Sequence, residues 1–239
     1  MEQSLPLLEQ AGLRIAAISY DSEETLRGFA DRYGIGFPLL SDSNSAVIRS
    51  FGILNTNIAP GLRAHGVPHP VEYLVAPNGT VLHKYFVPNY QHRVTGSAIV
   101  LEEFGVVEAN APVITLQSGA LTVRVGLSSA QAFAGQEIGF FAKFALEPEW
   151  HVYDTTLVAF DDPNVIKQSF SLENLPAYEG KFQGLGSALL KFPIDAGPIT
   201  LSGKVRFQQC SANICEPPET LPFELSLTLE PFMVATSGG

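Results

Sequence analysis

The chain is short of cysteine, of positive charge and of long apolar runs, and each shortage excludes something. Only two cysteines, Cys210 and Cys215, occur in 239 residues, too few for a disulfide-rich secreted scaffold or a four-thiolate zinc site. Positive charge is scarce: 14 Lys and Arg stand against 24 Asp and Glu, a net charge of −10. Such a surface repels phosphate backbones and anionic lipid, and no basic run offsets it, which argues against nucleic-acid binding. No apolar run approaches the ~20 residues that a membrane-spanning helix needs. The opening "MEQSLPLLEQAGL" carries Glu2 and Glu9 where a signal peptide has a basic start and an apolar stretch. Hydrophobic residues reach 46% and charged residues only 16%, the balance of a packed chain rather than a disordered one.

What is present changes character near residue 105. Before it, helical and strand-like segments alternate. Leu5, Leu8 and Leu13 have near-helical spacing with Gly12 as a stop signal. "RIAAISY" (14–20) is a short apolar run, suited to a strand buried on both faces. Asp21 or Ser22 can cap "EETLRGFADRYG", which Gly34 ends. "SNSAVIRSFG" suggests a further short helix, and "VEYLVAPNGTVLHKYF" two strands around a Pro-Asn-Gly turn. This order belongs to an α/β domain.

After residue 112 the period becomes two. Leu121, Val123, Val125 and Leu127 share one face, as do Ile138, Phe140, Ala142, Phe144 and Leu146, and then Leu221, Phe223, Leu225, Leu227 and Leu229. Further strand candidates lie at 152–160, 188–194 and 199–208. Six or seven strands in ~120 residues indicate an antiparallel β-sandwich. The reading is therefore α/β over 1–104, a join at 105–112, an all-β domain over 113–231 and a flexible tail at 232–239.

Both cysteines fall in "FQQCSANICEPPE". Five extended steps would separate them by ~16 Å, whereas a disulfide needs Cα atoms within ~7 Å. A bridge therefore requires the chain to fold back within Ser211–Ile214, where Ser211 and Asn213 are suitable turn residues. Two readings stand. A structural staple of this loop size is worth only ~2 kcal/mol, which a sandwich with its own core hardly needs. A reversible dithiol/disulfide pair is the other. In "TLSGKVRFQQC" the apolar set is Leu201, Val205 and Phe207, so Cys210 shares parity with the polar Lys204, Arg206 and Gln208, an outward position reachable by another thiol. No second Cys pair completes a zinc site, and His65 and His69 lie in a Gly- and Pro-containing loop. No metal and no cofactor are indicated.

"VRFQQCSANICEPPETLPFELSL" resembles the cysteine segment of the N-terminal periplasmic domain of the thiol:disulfide interchange protein DsbD, through Cys210, Cys215, Pro217, Pro218, Glu219 and Thr220. "LEPEWHVYDTT" resembles its Trp-His-x-Tyr segment through Trp150, His151 and Tyr153. The resemblance implies an immunoglobulin-like sandwich in the bacterial periplasm. Its paired cysteines would act catalytically, passing electrons from a membrane donor or thioredoxin-like protein to other thiol proteins, with Cys215 forming the mixed disulfide. It implies an aromatic shield over the disulfide at Tyr178 or Phe182, with Tyr153, Pro217 and Pro218 positioning the pair. Of the acidic pair near that loop only Glu179 is kept.

"ISYDSEETLRGFADRYGIGFPLLSD", "FGILN" and "GVPHPVEYLVAPNGTV" resemble the back part of a thioredoxin-like redoxin of the alkyl hydroperoxide reductase/peroxiredoxin group. That resemblance implies a cis-proline at Pro70 and a central strand, between "RIAAISY" and "VEYLVAP", that the given sequence lacks. Residues 1–104 hold no cysteine, so peroxidase chemistry has no nucleophile there. The expectation is a longer natural protein with a complete redoxin upstream. The leading function is thiol–disulfide exchange. The alternatives are a docking protein with a structural disulfide, or a fragment of a peroxiredoxin-like enzyme.

Overall fold

A computed structural model describes residues 1–62, 64–86, 89, 91–153, 155–173 and 175–231; the tail expected at 232–239 lies outside them. The chain divides into two compact units, Met1–Val94 and Thr95 onward.

The first unit holds α1 (Leu5–Gln10), β1 (Ala17–Ser19), α2 (Glu23–Tyr33), β2 (Leu39–Ser41), α3 (Ala46–Ser50), β3 (Val71–Val75), β4 (Val81–Phe86) and a short β5 (Arg93–Val94). The caps are those the sequence indicates: the Ser22 side chain accepts from the Thr25 N–H, and Gly34 closes α2 at φ 63°, a conformation only glycine adopts cheaply. β1 pairs parallel with β2, and β3 antiparallel with β4 across the Asn78–Gly79 turn. These are two separate two-stranded sheets. The expectation that "RIAAISY" is buried on both faces is corrected for the given residues: Ile18 is 39% exposed, and among the described residues β1 pairs with β2 alone. Pro70 is also corrected. Its peptide bond is trans, and among the described residues Phe192–Pro193 is the cis one. Trans is the default for X-Pro, and cis persists only where surrounding contacts impose it.

One carboxylate of this unit carries a pH signature. Burial pushes Glu72 up to about 7, against the opposing charge of Arg93. Its folded value lies above its ordinary 4.5, so its stabilising share is complete below that value and is lost as pH rises through about 7. Unfolding of this unit followed from about pH 4.5 to about 7 should show falling stability, by at most about 1.4 kcal/mol per pH unit for one proton, with no further fall from this group above that range. Glu72→Gln should flatten the profile; an unchanged slope refutes the assignment.

The second unit begins with α4 (Gly96–Phe104), a helix the periodicity reading did not identify. It continues through β6 (Val113–Ser118), β7 (Leu121–Leu127), β8 (Gln131–Ala132), β9 (Gln136–Leu146), β10 (His151–Tyr153), β11 (Leu157–Phe160), β12 (Val165–Leu172), β13 (Ala177–Glu179), β14 (Lys181–Leu190), β15 (Gly197–Phe207), β16 (Gln209–Cys210) and β17 (Glu219–Leu229). One sheet runs β12-β14-β9-β7-β6 and the other β11-β15-β17-β8, with a small third sheet β13-β10-β16. All pairs here are antiparallel except β8 with β17. The core between the two large sheets contains the alternating residues read from the sequence: Leu121 to Leu127, Ile138 to Leu146, Phe223 to Leu229, and Leu201, Val205 and Phe207. α4 packs on β9, where a Cβ on Gly139 would lie 3.0 Å from the Ala98 Cα. The helix thus groups with the sandwich, about ten residues before the expected join.

Within the sheets, glycine positions are covered by cross-strand rings. Gly186 faces Phe140, Gly126 faces Phe141 and Gly203 faces Phe223. A Cβ at Gly186 would come within 2.3 Å of the Phe140 ring and 2.4 Å of the Ser169 carbonyl. The rings occupy the volume that those side chains would take, a familiar device for keeping a glycine in a strand.

Candidate functional site

The cysteine segment leaves the large sheet at Phe207, passes Gln208 and continues as β16. There it changes partner from β17 to β10. The chain then reverses. The Ser211 hydroxyl accepts from the Asn213 and Ile214 amides, a serine turn of the kind expected for this residue. Two backbone bonds frame the reversal: the Glu216 N–H donates to the Gln209 carbonyl at 3.0 Å and the Ser211 N–H to the Ile214 carbonyl at 2.7 Å. Cys210 and Cys215 are thereby opposed as a non-hydrogen-bonded antiparallel pair, the kind that brings side chains closest. They are disulfide-bonded with Cα atoms 4.0 Å apart. Pro217 and Pro218 follow. Having no N–H, they cannot extend this ladder, so the hairpin ends one pair beyond its turn and the exposed prolines lead into β17.

A buried amide fixes the base of the hairpin. Gln209, 2% exposed, accepts from the Ala120 N–H at 3.1 Å and donates to Glu216 at 2.9 Å. Ser118 donates to Glu219 at 2.6 Å. The β6–β7 turn thus holds both ends of the cysteine segment. Gly119 sits there at φ 52°, and a Cβ on it would lie 2.2 Å from the Gln209 amide nitrogen, so only glycine fits.

The register of the small sheet sorts the neighbouring side chains onto two faces. Gln209, Val152 and Tyr178 align across β16, β10 and β13, and all three are buried toward the core. One step along, Cys215, Cys210, His151 and Glu179 align on the opposite face, since successive side chains alternate. Tyr153 is on this second face as well. It is 39% exposed, and its hydroxyl is 3.2 Å from His151 Nε2.

This geometry revises two expectations. The parity reading of Cys210 holds, because it points away from the main core, but its exposure does not. Cys210 is 0% exposed, lying between β10 and the strand that carries Cys215, whereas Cys215 is exposed. The aromatic shield is also differently placed. Tyr178 stacks on Phe182 at 4.8 Å, and Phe182 on Phe144 at 4.7 Å, a column in the core whose Tyr178 hydroxyl donates to the Glu173 carbonyl. Opposite Cys210 stands His151 instead, with Glu179 one strand further along the same row. His151 belongs to a motif legible in the sequence, but its cross-strand position opposite Cys210 depends on register. Gln209 and Glu216 had no sequence signal beyond proximity to the cysteines.

Fold and site together define the class: a redoxin-like α/β unit followed by a large antiparallel β-sheet region that carries a disulfide-bonded cysteine pair. Residues 1–84 match the AhpC/TSA family. Over 78 residues the chain is 31% identical to Peroxiredoxin Bcp of Xanthomonas campestris pv. campestris, a match covering 33% of this chain and 48% of that protein. The chain thus spans about half the length of this curated relative. Among solved structures, the N-terminal periplasmic domain of ScsB from Proteus mirabilis aligns at TM-score 0.36 and 16% identity, covering 54% of this chain and 55% of that one. The N-terminal domain of DsbD from Neisseria meningitidis, in its reduced form, aligns at TM-score 0.25 and 14% identity over 50% of this chain and 90% of that one. Among the described residues no helix is long and apolar enough to cross a membrane. The redoxin match and the cysteine pair support thiol–disulfide redox chemistry in general terms.

Proposed function

We propose that this chain is a thiol–disulfide exchange module, passing reducing equivalents between proteins through Cys210 and Cys215 in an extracytoplasmic compartment. The observation that carries this reading is the asymmetry of the pair: Cys215 is exposed, Cys210 is buried, and the bridge between them closes a loop of sequence separation 5. A loop this short contributes only about 2 kcal/mol by closure entropy, little beside the sandwich core. The bond can therefore open without unfolding the domain, and the exposed residue Cys215 is the end that a partner's thiolate can reach. Partners are thiol–disulfide proteins, either a thioredoxin-like protein or a membrane electron donor. The redoxin-like half is read as a fused partner domain, and its residues in the given sequence hold no cysteine.

The reduction potential of the pair tests this. Equilibration in graded glutathione or dithiothreitol buffers, with alkylated thiols counted by mass, should give a value roughly between −180 and −270 mV, the range of exchange proteins. A value below about −300 mV marks a structural staple and sinks the proposal in favour of a docking protein.

A further inference from the structure

Opening the disulfide from its exposed side creates a problem on its buried side. When a donor thiolate attacks Cys215 Sγ, a new S–S bond forms to the donor and the Cys210–Cys215 bond breaks. Its electron pair goes to Cys210, a position with 0% exposure. A thiolate out of contact with water is costly unless a cation or a proton donor stands beside it. The row that crosses Cys210 contains one group able to be either: His151, directly opposite on β10. Opposed residues on one face have Cβ atoms about 4.5–5.5 Å apart, within reach of an imidazole edge. Beyond His151 in the same row lies Glu179 on β13. Along its own strand lie Tyr153, hydrogen-bonded to Nε2 at 3.2 Å with the rings edge-on at 5.2 Å, and the exposed Glu149 just before the strand. The row Glu179, His151, Cys210, Cys215 contains no Lys or Arg.

We infer that His151 is the proton-transfer partner of Cys210, with Glu179 and Tyr153 orienting its ring; this rests on the exchange function proposed above. In the accepting half-reaction, imidazolium gives its proton to the Cys210 thiolate released when a dithiol protein attacks Cys215. The donor's second thiolate then attacks the donor sulfur of the mixed disulfide and releases the Cys215 thiolate. In the delivering half-reaction, Cys215 thiolate attacks one sulfur of an acceptor protein's disulfide, breaking that bond and releasing the acceptor's other sulfur as a thiolate. Neutral His151 takes the proton from Cys210, whose thiolate re-forms the bond to Cys215 and expels the acceptor thiolate. Electrons and protons balance across the two halves. The arrangement is the general one of nucleophile, base and orienting carboxylate, laid across three strands by register alone.

The test reads the Cys210 thiol itself. In a Cys215→Ser protein, thiolate formation at Cys210 is followed by ultraviolet absorbance against pH. Adding His151→Gln should lower the thiolate fraction near neutrality about tenfold, the effect of removing one close opposite charge. Adding Glu179→Gln should move it in the same direction by less. Superimposable titrations in a folded His151→Gln protein overturn the inference. If that variant fails to fold, the His151 ring-proton resonance of the wild-type chain decides. Its titration midpoint should differ between the oxidised and reduced protein, and no difference overturns the inference too. Neither readout needs a partner protein. A staple-like reduction potential would therefore remove the exchange function while leaving the coupling of His151 to Cys210 separately measurable.

Discussion

Cys210→Ser will trap a partner and Cys215→Ser will not. With Cys210 replaced, the exposed Cys215 remains as the lone thiol, and a mixed disulfide formed there has no internal thiol to resolve it. Incubated with an oxidised thioredoxin-like protein or with oxidised glutathione, this variant should shift in mass to a nearly stoichiometric adduct. With Cys215 replaced, the remaining thiol is Cys210, which is 0% exposed, and the adduct should be marginal because reactivity follows access. The contrast is large because it compares an open position with a closed one. Equal trapping by both variants would show that the hairpin opens widely enough to expose Cys210, and would remove the directional mechanism.

Phe140→Ala will destabilise the sandwich more than loss of the disulfide does. Phe140 is fully buried, packs edge-on against Phe160 at 5.1 Å, stacks near Phe170 at 5.8 Å and covers Gly186. Its removal takes away a large transfer term and leaves a cavity lined by rings that cannot close over a glycine, a loss of about 3–5 kcal/mol. Domain stabilities are about 5–15 kcal/mol, so the urea midpoint should fall by a substantial fraction. Reduction of the wild type should cost only about 2 kcal/mol and leave a folded domain. If reduction costs as much as Phe140→Ala, the bridge is a structural element after all and the exchange reading loses its support.

The β-sandwich was readable because its signal is local. Alternation at Leu121–Leu127, Ile138–Leu146 and Leu221–Leu229 repeats over enough residues to name the buried face before any partner strand is known, and the observed core contains that set except Leu221, which is partly buried against it. The Gly34 cap was equally plain, and the other end was narrowed to Asp21 or Ser22, of which the structure uses Ser22. α4 was missed because "GSAIVLEEF" is almost wholly apolar in its first two turns, with Gly96 to Leu101 all buried, so no polar face marks a helical period. β12 was missed for the opposite reason: in "VIKQSFSL" the apolar residues are too sparse to announce a strand that pairs along one edge of its sheet. Among the described residues β1 pairs with β2 alone, and an apolar run does not report how many partners a strand finds.

By itself the sequence determined that the two thiols lie close enough to share one turn and that this turn follows a strand of known parity. Those are properties of spacing, and spacing is what a chain carries before it folds. Only the tertiary structure decided which thiol is open to a partner and which side chain stands beside the closed one. Cys210 and His151 are far apart in the chain, and their meeting depends on β16 pairing with β10 in one register. A slip of a single residue would place Val152 opposite Cys210 and turn His151 to the other face.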